Sequence, residues 1–138
     1  MRTTDLALQS GMRVLVAEDD RIQALVLTSF LRLFGIEATL VSDGAQAVKA
    51  VQGGAFDLVL MDCLMPVADG VDATIAIRRW ERAAARTSVP IIAVTAGAMR
   101  EECERCVAAG MDGVLLKPFT AHQLRDTVAR YLPCELRG

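Results

Sequence analysis

The sequence has few aromatic residues, little net charge and no long apolar run, and each of these absences excludes a class of protein. Aromatics make up 4% of the 138 residues although hydrophobic residues reach 53%, so aliphatic side chains and Met must fill the core. A formal net charge of -2 gives no basic field, so we expect no direct binding of nucleic acid. No run approaches the roughly 20 apolar residues of a membrane span, and residues 1–11 lack the apolar centre of a signal peptide. We therefore expect a cytoplasmic protein without membrane contact.

The length of 138 residues fits one domain with a sizeable core and leaves little chain for a second folding unit. We place that domain at residues 12–132, with short flanking segments at 1–11 and 133–138. Because so little chain follows the last predicted helix, we expect any output to pass through a downstream protein target.

The four cysteines do not resemble a disulfide scaffold, because they are scattered along a chain rich in apolar residues. We expect Cys63, Cys103, Cys106 and Cys134 to be free thiols. Cys103 and Cys106 have CxxC spacing, but with Met99 and Val107 they also recur at the spacing of a buried helix stripe. A core role is favoured over redox or zinc chemistry, since two further metal ligands are missing.

Short apolar runs alternate with helical patterns five times, which predicts parallel strands joined by crossover helices. The predicted strands are 13–17, 37–41, 57–61, 91–95 and 113–116, and the predicted helices are 20–34, 43–52, 70–85, 98–109 and 120–132. Capping residues are expected at Asp20, Asp43, Asp69 and Thr120, and Gly35 and Gly110 suit helix ends.

The order of the strands can be predicted from their polarity. The second run is the most polar and belongs at an edge, whereas the first and third are uniformly apolar and central. We therefore predict an α/β fold, a single doubly wound (βα)5 flavodoxin-like domain with strand order 2-1-3-4-5. In that order the crossover direction reverses between strands 1 and 3, and a site is expected at their carboxyl ends.

Chemistry-bearing residues stand at the carboxyl ends of four predicted strands and are expected to converge at one edge of the sheet. They are Glu18 and Asp19, Asp62, Thr95 with Ala96, and Lys117. Carboxylates this close repel each other by roughly 1 to 4 kcal/mol per pair at about 4 Å, so the cluster calls for a cation. Oxygen-only ligands indicate Mg²⁺, with Mn²⁺ or Ca²⁺ as possible substitutes.

Each member of this cluster has a predicted role. Asp19 and Asp62 are expected to bind the metal directly, Glu18 through water, and the backbone carbonyl near Leu64 could supply another oxygen. Asp62 would be the nucleophile, because an ionised carboxylate can form an acyl phosphate. Lys117 would neutralise the charge of the transferring group, and the Thr95 hydroxyl would donate to a phosphoryl oxygen.

Four segments resemble response regulator receiver domains of two-component systems. They are VLVAEDD (14–20), DLVLMDCLMPVADG (57–70), PIIAVTAGAM (90–99) and AGMDGVLLKPF (109–119). The sequences of these segments are most similar to those of receivers in hybrid sensor histidine kinases. The resemblance implies that Asp62 is phosphorylated by a histidine kinase or histidine phosphotransfer protein, and that Glu18 and Asp19 form the acid pair. It also implies that Thr95 is the switch hydroxyl, and that Lys117 precedes a cis peptide bond to Pro118.

The sequence departs from the family at Val114, where many receivers have a Tyr or Phe that swings inward with the switch Thr. We expect the switch to involve Thr95, Ala96 and Val114, with output through the fourth helix, fifth strand and fifth helix. On that face, arginines 100, 105, 125 and 130 are expected to be exposed and to meet an acidic partner or a second copy. A monomer and a phosphorylation-linked homodimer both remain open.

Three other functions fit these residues less well. A haloacid dehalogenase-like phosphohydrolase would need a second acid two residues after its nucleophile, where this chain has Leu64. A flavodoxin-type module would need a phosphate cradle in place of the acidic first loop. A degenerate, purely binding receiver is disfavoured by the complete set of acid, Thr and Lys. The receiver could also be a module of a hybrid sensor kinase in a phosphorelay.

Overall fold

In the part of the chain that the structure describes, five parallel strands alternate with five helices. The computed structural model describes Leu8 and residues 11–63, 69–96 and 100–131. The strands are β1 (Val14–Ala17), β2 (Ala38–Val41), β3 (Leu58–Asp62), β4 (Ile91–Thr95) and β5 (Gly113–Leu116). The helices are α1 (Arg21–Leu33), α2 (Gly44–Gly53), α3 (Gly70–Ala83), α4 (Arg100–Ala109) and α5 (Ala121–Ala129). The first three strands begin one residue later than the sequence predicts, and Asp62 is the last residue of β3.

The strands form one parallel sheet in the order β2-β1-β3-β4-β5, as predicted. Every residue of β1, β3 and β4 is buried, because these strands lie inside the sheet with helices on both faces. The middle two residues of β2 are exposed, which confirms its predicted place at an edge. The register places Val14 beside Leu58, so the carboxyl ends of β1 and β3 reach the same edge together.

Alternation along each strand divides the core into two layers. Val14 and Val16 point into the cluster beneath α1 and α5, where Phe34 and Leu124 are fully buried. Leu15 instead joins the cluster on the opposite face, beneath α2, α3 and α4. None of the described helices combines the length and the hydropathy that a transmembrane helix needs.

Helix ends follow the predicted capping residues. The carboxylates of Asp20, Asp43 and Asp69 accept backbone N–H groups at the starts of α1, α2 and α3. Thr120 and Gln123 form the reciprocal capping box of α5. Gly35 and Gly110 adopt φ values of 87° and 110°, the left-handed conformation that glycine accepts readily.

The predicted buried stripe of α4 is wrong at Val107, whose surface is 60% exposed. Cys106 is buried and Cys103 is half-buried, so the inward line runs through the two cysteines and on to the buried Met111. Val107 lies a further 100° around the helix axis from Cys106 and faces outward. Cys63, Cys103 and Cys106 are free thiols as predicted, whereas Met99 and Cys134 lie outside the described residues.

A buried ion-pair network joins α3 to the start of β4 and to the turn before β5. The Arg78 guanidinium lies 2.8 Å from Glu81 and 3.0 Å from Asp112, and its Nε donates to the Gly110 carbonyl. Glu81 is only 2% exposed, and its second oxygen accepts the Val89 N–H at 2.7 Å. The buried carboxylate is therefore paired and hydrogen-bonded, as burial of a charge requires.

Candidate functional site

Three carboxylates meet at the carboxyl ends of β1 and β3. Glu18, Asp19 and Asp62 each place one oxygen so that all three oxygens lie within 4.8 Å of one another. Glu18 and Asp62 are buried, at 2% and 8% exposure, whereas Asp19 is exposed. The Glu18 N–H donates to the Val41 carbonyl at 3.0 Å, which fixes the turn after β1 against β2. The predicted convergence of these acids is therefore present.

Lys117 approaches the acids from the end of β5. Its Nζ donates to Oε1 of Glu18 at 3.1 Å and lies 3.9 Å from Oδ1 of Asp62. The Lys117 side chain is 15% exposed, so solvent screens these charges only partly. Its backbone N–H donates to the Thr95 carbonyl at 2.8 Å, and the peptide bond to Pro118 is cis, as the resemblance implied.

The predicted switch residues lie beside this cluster. Asp62 pairs with Val94 in the sheet, so the buried Thr95 stands one residue further along the same edge. Ala96 follows and is exposed. Val114 lies on β5 opposite Ala93, half-buried against the core cluster of that face. Leu64, predicted to supply a carbonyl oxygen, lies outside the described residues.

Gly70 holds α3 close to Asp62, a role that the sequence did not predict. The Gly70 N–H donates to the Cys63 carbonyl at 3.2 Å. A Cβ built on Gly70 would overlap the Asp62 carbonyl oxygen and lie 2.8 Å from Cγ of Met61. Only glycine permits this approach, and the Asp-Gly pair that starts α3 was the available signal.

A pair of cysteines beside the acids was also missed. The sulfur atoms of Cys63 and Cys106 lie 3.1 Å apart, and both side chains are buried. Burial raises the pKa of the Cys63 thiol well above its ordinary value, and the hydrogen bond and charge of Cys106 add to this rise, as do the negative charges of Asp62 and Asp69. The two positions are 43 residues apart, so nothing in local spacing indicates the contact.

An apolar surface of α1 borders the site. Ile22 is 75% exposed, Leu25 is 65% exposed and Val26 is 42% exposed. Val26 also lines a cavity of about 390 Å³ that reaches Ala96 and Lys117. Exposed aliphatic side chains this close together are typical of a contact surface for another molecule.

The donor atoms of the acidic cluster fit a small divalent cation. Three carboxylates and one ammonium leave a formal charge of -2 at the site. Donors that are all oxygen match the preference of Mg²⁺, which binds few carboxylates and keeps several waters. The exposure of Asp19 leaves one side of the cluster accessible to water and to an incoming group.

Comparison with known proteins agrees with this geometry. The response regulator receiver domain family matches residues 14–129. The sensor protein GacS of Pseudomonas syringae pv. syringae is 43% identical over 126 residues, which are 91% of this chain and 14% of that protein. The chain therefore spans about a seventh of the length of this relative.

Solved receiver domains have the same fold. The receiver domain of the sensor histidine kinase PA1611 from Pseudomonas aeruginosa PAO1, whose active-site cleft coordinates a magnesium ion, is 39% identical with a TM-score of 0.78. That match covers 88% of this chain and 98% of the other. The Ssk1 receiver domain of Saccharomyces cerevisiae, solved with the phosphotransfer protein Ypd1, is 28% identical with a TM-score of 0.83, covering 94% of each chain. From the sequence match and the shared fold, this chain belongs to the response regulator receiver domain family of two-component signalling.

Proposed function

We propose that this receiver domain accepts one phosphoryl group on Asp62 from a histidine kinase or a histidine phosphotransfer protein. The observation that carries the proposal is the Asp62 carboxylate at the end of β3, with the Lys117 ammonium 3.9 Å away and two further carboxylates within 4.8 Å. A nucleophile, a counter-charge and a set of cation ligands therefore occupy one edge of the sheet. The magnesium in the PA1611 receiver and the phosphotransfer partner of Ssk1 support this assignment by similarity.

The transfer forms one bond and breaks one bond. An oxygen of Asp62 attacks phosphorus, the P–N bond to the donor imidazole breaks, and the imidazole leaves with the electron pair and takes up a proton. The product is an acyl phosphate on Asp62. Lys117 neutralises charge on the phosphoryl oxygens, and the Thr95 hydroxyl, one residue beyond the strand partner of Asp62, donates to one of them.

Glu18, Asp19 and Asp62 would hold Mg²⁺, and the Leu64 carbonyl remains a predicted further ligand. A bound Mg²⁺ would offset the negative charge that gathers at the site during transfer. Among the described residues, nothing favours Mn²⁺ or Ca²⁺ over Mg²⁺.

We place the donor on the α1 surface formed by Ile22, Leu25 and Val26. These side chains are exposed and apolar, and the cavity beside Val26 opens onto Lys117, so a helix that docks there would bring its histidine to the acidic cluster. The occupant we propose is therefore the phosphohistidine-bearing helix of the donor.

We place the output on the face formed by α4, β5 and α5, reached through Thr95, Ala96 and Val114. The positive charge predicted for this face is present in part. Arg105 and Arg130 are exposed, Arg125 is half-buried, and the Arg100 side chain lies outside the described residues. Exposed Val107 and Leu116 add apolar surface for a downstream target or a second copy. The same proposal includes a domain with limits at 12–132 and a cytoplasmic location. It also includes a protein that is either a monomer or a phosphorylation-linked homodimer.

Acetyl phosphate with Mg²⁺, followed by intact mass measurement, tests phosphoryl acceptance. We expect wild type to gain one phosphoryl group that is labile in base, as an acyl phosphate is, and Asp62→Asn to gain none. Asp20→Asn is the matched control, because it removes a neighbouring charge while Asn still caps α1. Equal labelling of wild type and Asp62→Asn would reject Asp62 as the acceptor. Steady turnover of a small phosphate ester would instead favour the phosphohydrolase.

A second experiment tests the donor surface. Ile22→Ser should slow transfer from a phosphorylated histidine phosphotransfer protein while labelling by acetyl phosphate stays unchanged. Val107→Ser is the control, because Val107 is comparably exposed but lies on α4. Equal slowing by both variants would mean that α1 is not the docking surface.

A further inference from the structure

We infer that Cys63 and Cys106 form an intramolecular disulfide under oxidising conditions, which ties α4 to the carboxyl end of β3 and slows phosphoryl acceptance. The two sulfur atoms lie 3.1 Å apart as thiols. A disulfide bond is about 2.05 Å long, so the sulfurs need to approach by only about 1 Å. Neither thiol needs to leave its place in the core.

The position of the pair couples two functional elements. Cys63 follows Asp62 directly, and its N–H donates to Val94 while its carbonyl accepts from Gly70. Cys106 lies on the inward side of α4, and the N–H of the buried Met111 donates to the Cys106 carbonyl. A covalent bond between them would fix the distance from the acceptor strand to α4, the helix that we assign to output.

A small opening gives an oxidant access to the sulfurs. A cavity of about 50 Å³ adjoins both thiols, which is room for a molecule the size of water or hydrogen peroxide. Its lining residues are Cys63, Asp69, Val71, Glu102, Arg105 and Cys106. Because Asp69, Glu102 and Arg105 are polar, a small polar oxidant can enter.

The oxidation balances with a peroxide as the two-electron acceptor. The Cys106 sulfur attacks one peroxide oxygen, the O–O bond breaks, and one water leaves as a sulfenic acid forms on Cys106. The Cys63 sulfur then attacks the Cys106 sulfur and loses its proton, and the sulfenic oxygen leaves as a second water. The balance is the same if the two sulfurs exchange roles, because they face each other at 3.1 Å and both adjoin the cavity. The two thiols together lose two electrons and two protons.

The double variant Cys103→Ser/Cys134→Ser retains only the two cysteines of interest and is the protein to test. After treatment with hydrogen peroxide, we expect its intact mass to fall by two hydrogens, the protein to stay monomeric on a non-reducing gel, and peptide mapping to link Cys63 to Cys106. Adding Cys106→Ser should abolish the mass loss. Retention of both free thiols, overoxidation to sulfinic acid, or a dimer linked between chains would overturn the inference.

The effect on phosphoryl acceptance rests on the proposed function and is measured separately. In the same double variant, the oxidised form should be labelled by acetyl phosphate about fivefold more slowly than the reduced form, in the lower range of typical allosteric couplings. The Cys106→Ser derivative should be labelled equally fast before and after peroxide. Equal rates for the disulfide and dithiol forms would overturn the coupling. If neither form is labelled, the assignment of Asp62 as acceptor fails while the disulfide result stands.

Discussion

Removing the charge of Asp62 should stabilise the fold when no divalent cation is present. At 4.8 Å, two like unit charges repel by about 0.9 kcal/mol in water and about 3.5 kcal/mol at an effective dielectric constant of about 20. Asp62 has two carboxylate neighbours within that distance, and the Lys117 ammonium at 3.9 Å offsets about 1.1 to 4.3 kcal/mol. The net repulsion that these three groups exert on Asp62 is therefore about 0.7 to 2.7 kcal/mol.

We expect Asp62→Asn to raise the free energy of unfolding by an amount in the lower half of this range. Asp19 is exposed, so water screens its charge and weakens its repulsion of Asp62. The measurement is the free energy of unfolding from urea titration, once in EDTA and once in excess Mg²⁺. Wild type should gain about 1.4 kcal/mol when Mg²⁺ is at ten times its dissociation constant. Asp62→Asn, which lacks one ligand, should gain much less at the same concentration.

Asp126→Asn is the matched control, since Asp126 is an exposed acid on α5 that lies 3.8 Å from Arg125. Its effect on the free energy of unfolding should stay within about 0.5 kcal/mol in both buffers. If Asp62→Asn destabilised the protein in EDTA and kept the full response to Mg²⁺, the electrostatic reasoning would be refuted.

Three further changes test the surroundings of the site. Gly70→Ala should destabilise the fold by about 1 to 3 kcal/mol in urea unfolding, because its Cβ would displace the Asp62 carbonyl. Arg78→Met should cost about 3 to 5 kcal/mol, because Glu81 would remain as a buried and unpaired charge. Cys63→Ala should flatten the loss of stability above pH 9. In the unfolded wild type Cys63 ionises near its ordinary pKa of 9.0, whereas in the folded protein its pKa is raised. The free energy of unfolding is therefore unaffected by this group below pH 9, and it falls by up to about 1.4 kcal/mol per pH unit above pH 9.

Each of these changes has a control or a contrary result. Gly53→Ala is the control for Gly70, because a Cβ there meets nothing within 4 Å. Arg79→Met is the control for Arg78, because Arg79 is the exposed neighbour on the same helix. Parallel pH profiles of wild type and Cys63→Ala in EDTA would contradict the raised pKa of Cys63.

Periodicity along the chain was sufficient to predict the sheet. Uniformly apolar runs placed β1 and β3 at the centre, and the polar second run placed β2 at the edge. Backbone geometry makes successive side chains of a strand point to opposite faces, so the apolar pattern of a short segment indicates which of its faces are buried. Capping at Asp20 and Asp69 was predictable for the same reason, since a cap contacts N–H groups two or three residues away.

Helix orientation was less predictable. The spacing of α4 suggested that Val107 faces the core, but the helix is rotated so that the two cysteines face inward and Val107 faces out. On a short helix with weak amphipathicity, several rotations bury similar amounts of apolar surface, and packing against α3 and β5 selects one. The exposed apolar surface of α1, formed by Ile22, Leu25 and Val26, was not predicted, because apolar residues at helical spacing also fit the buried face of a helix.

The sequence by itself determined which residues stand at the strand ends, and with the parallel order this was enough to gather Glu18, Asp19, Asp62 and Lys117. Only the tertiary structure decided that Lys117 lies nearer to Glu18 than to Asp62, and that Cys63 meets Cys106. The strand ends converge because backbone hydrogen bonds between neighbouring strands fix their register. Side-chain distances across the sheet depend instead on how each helix and loop packs, which no local pattern specifies.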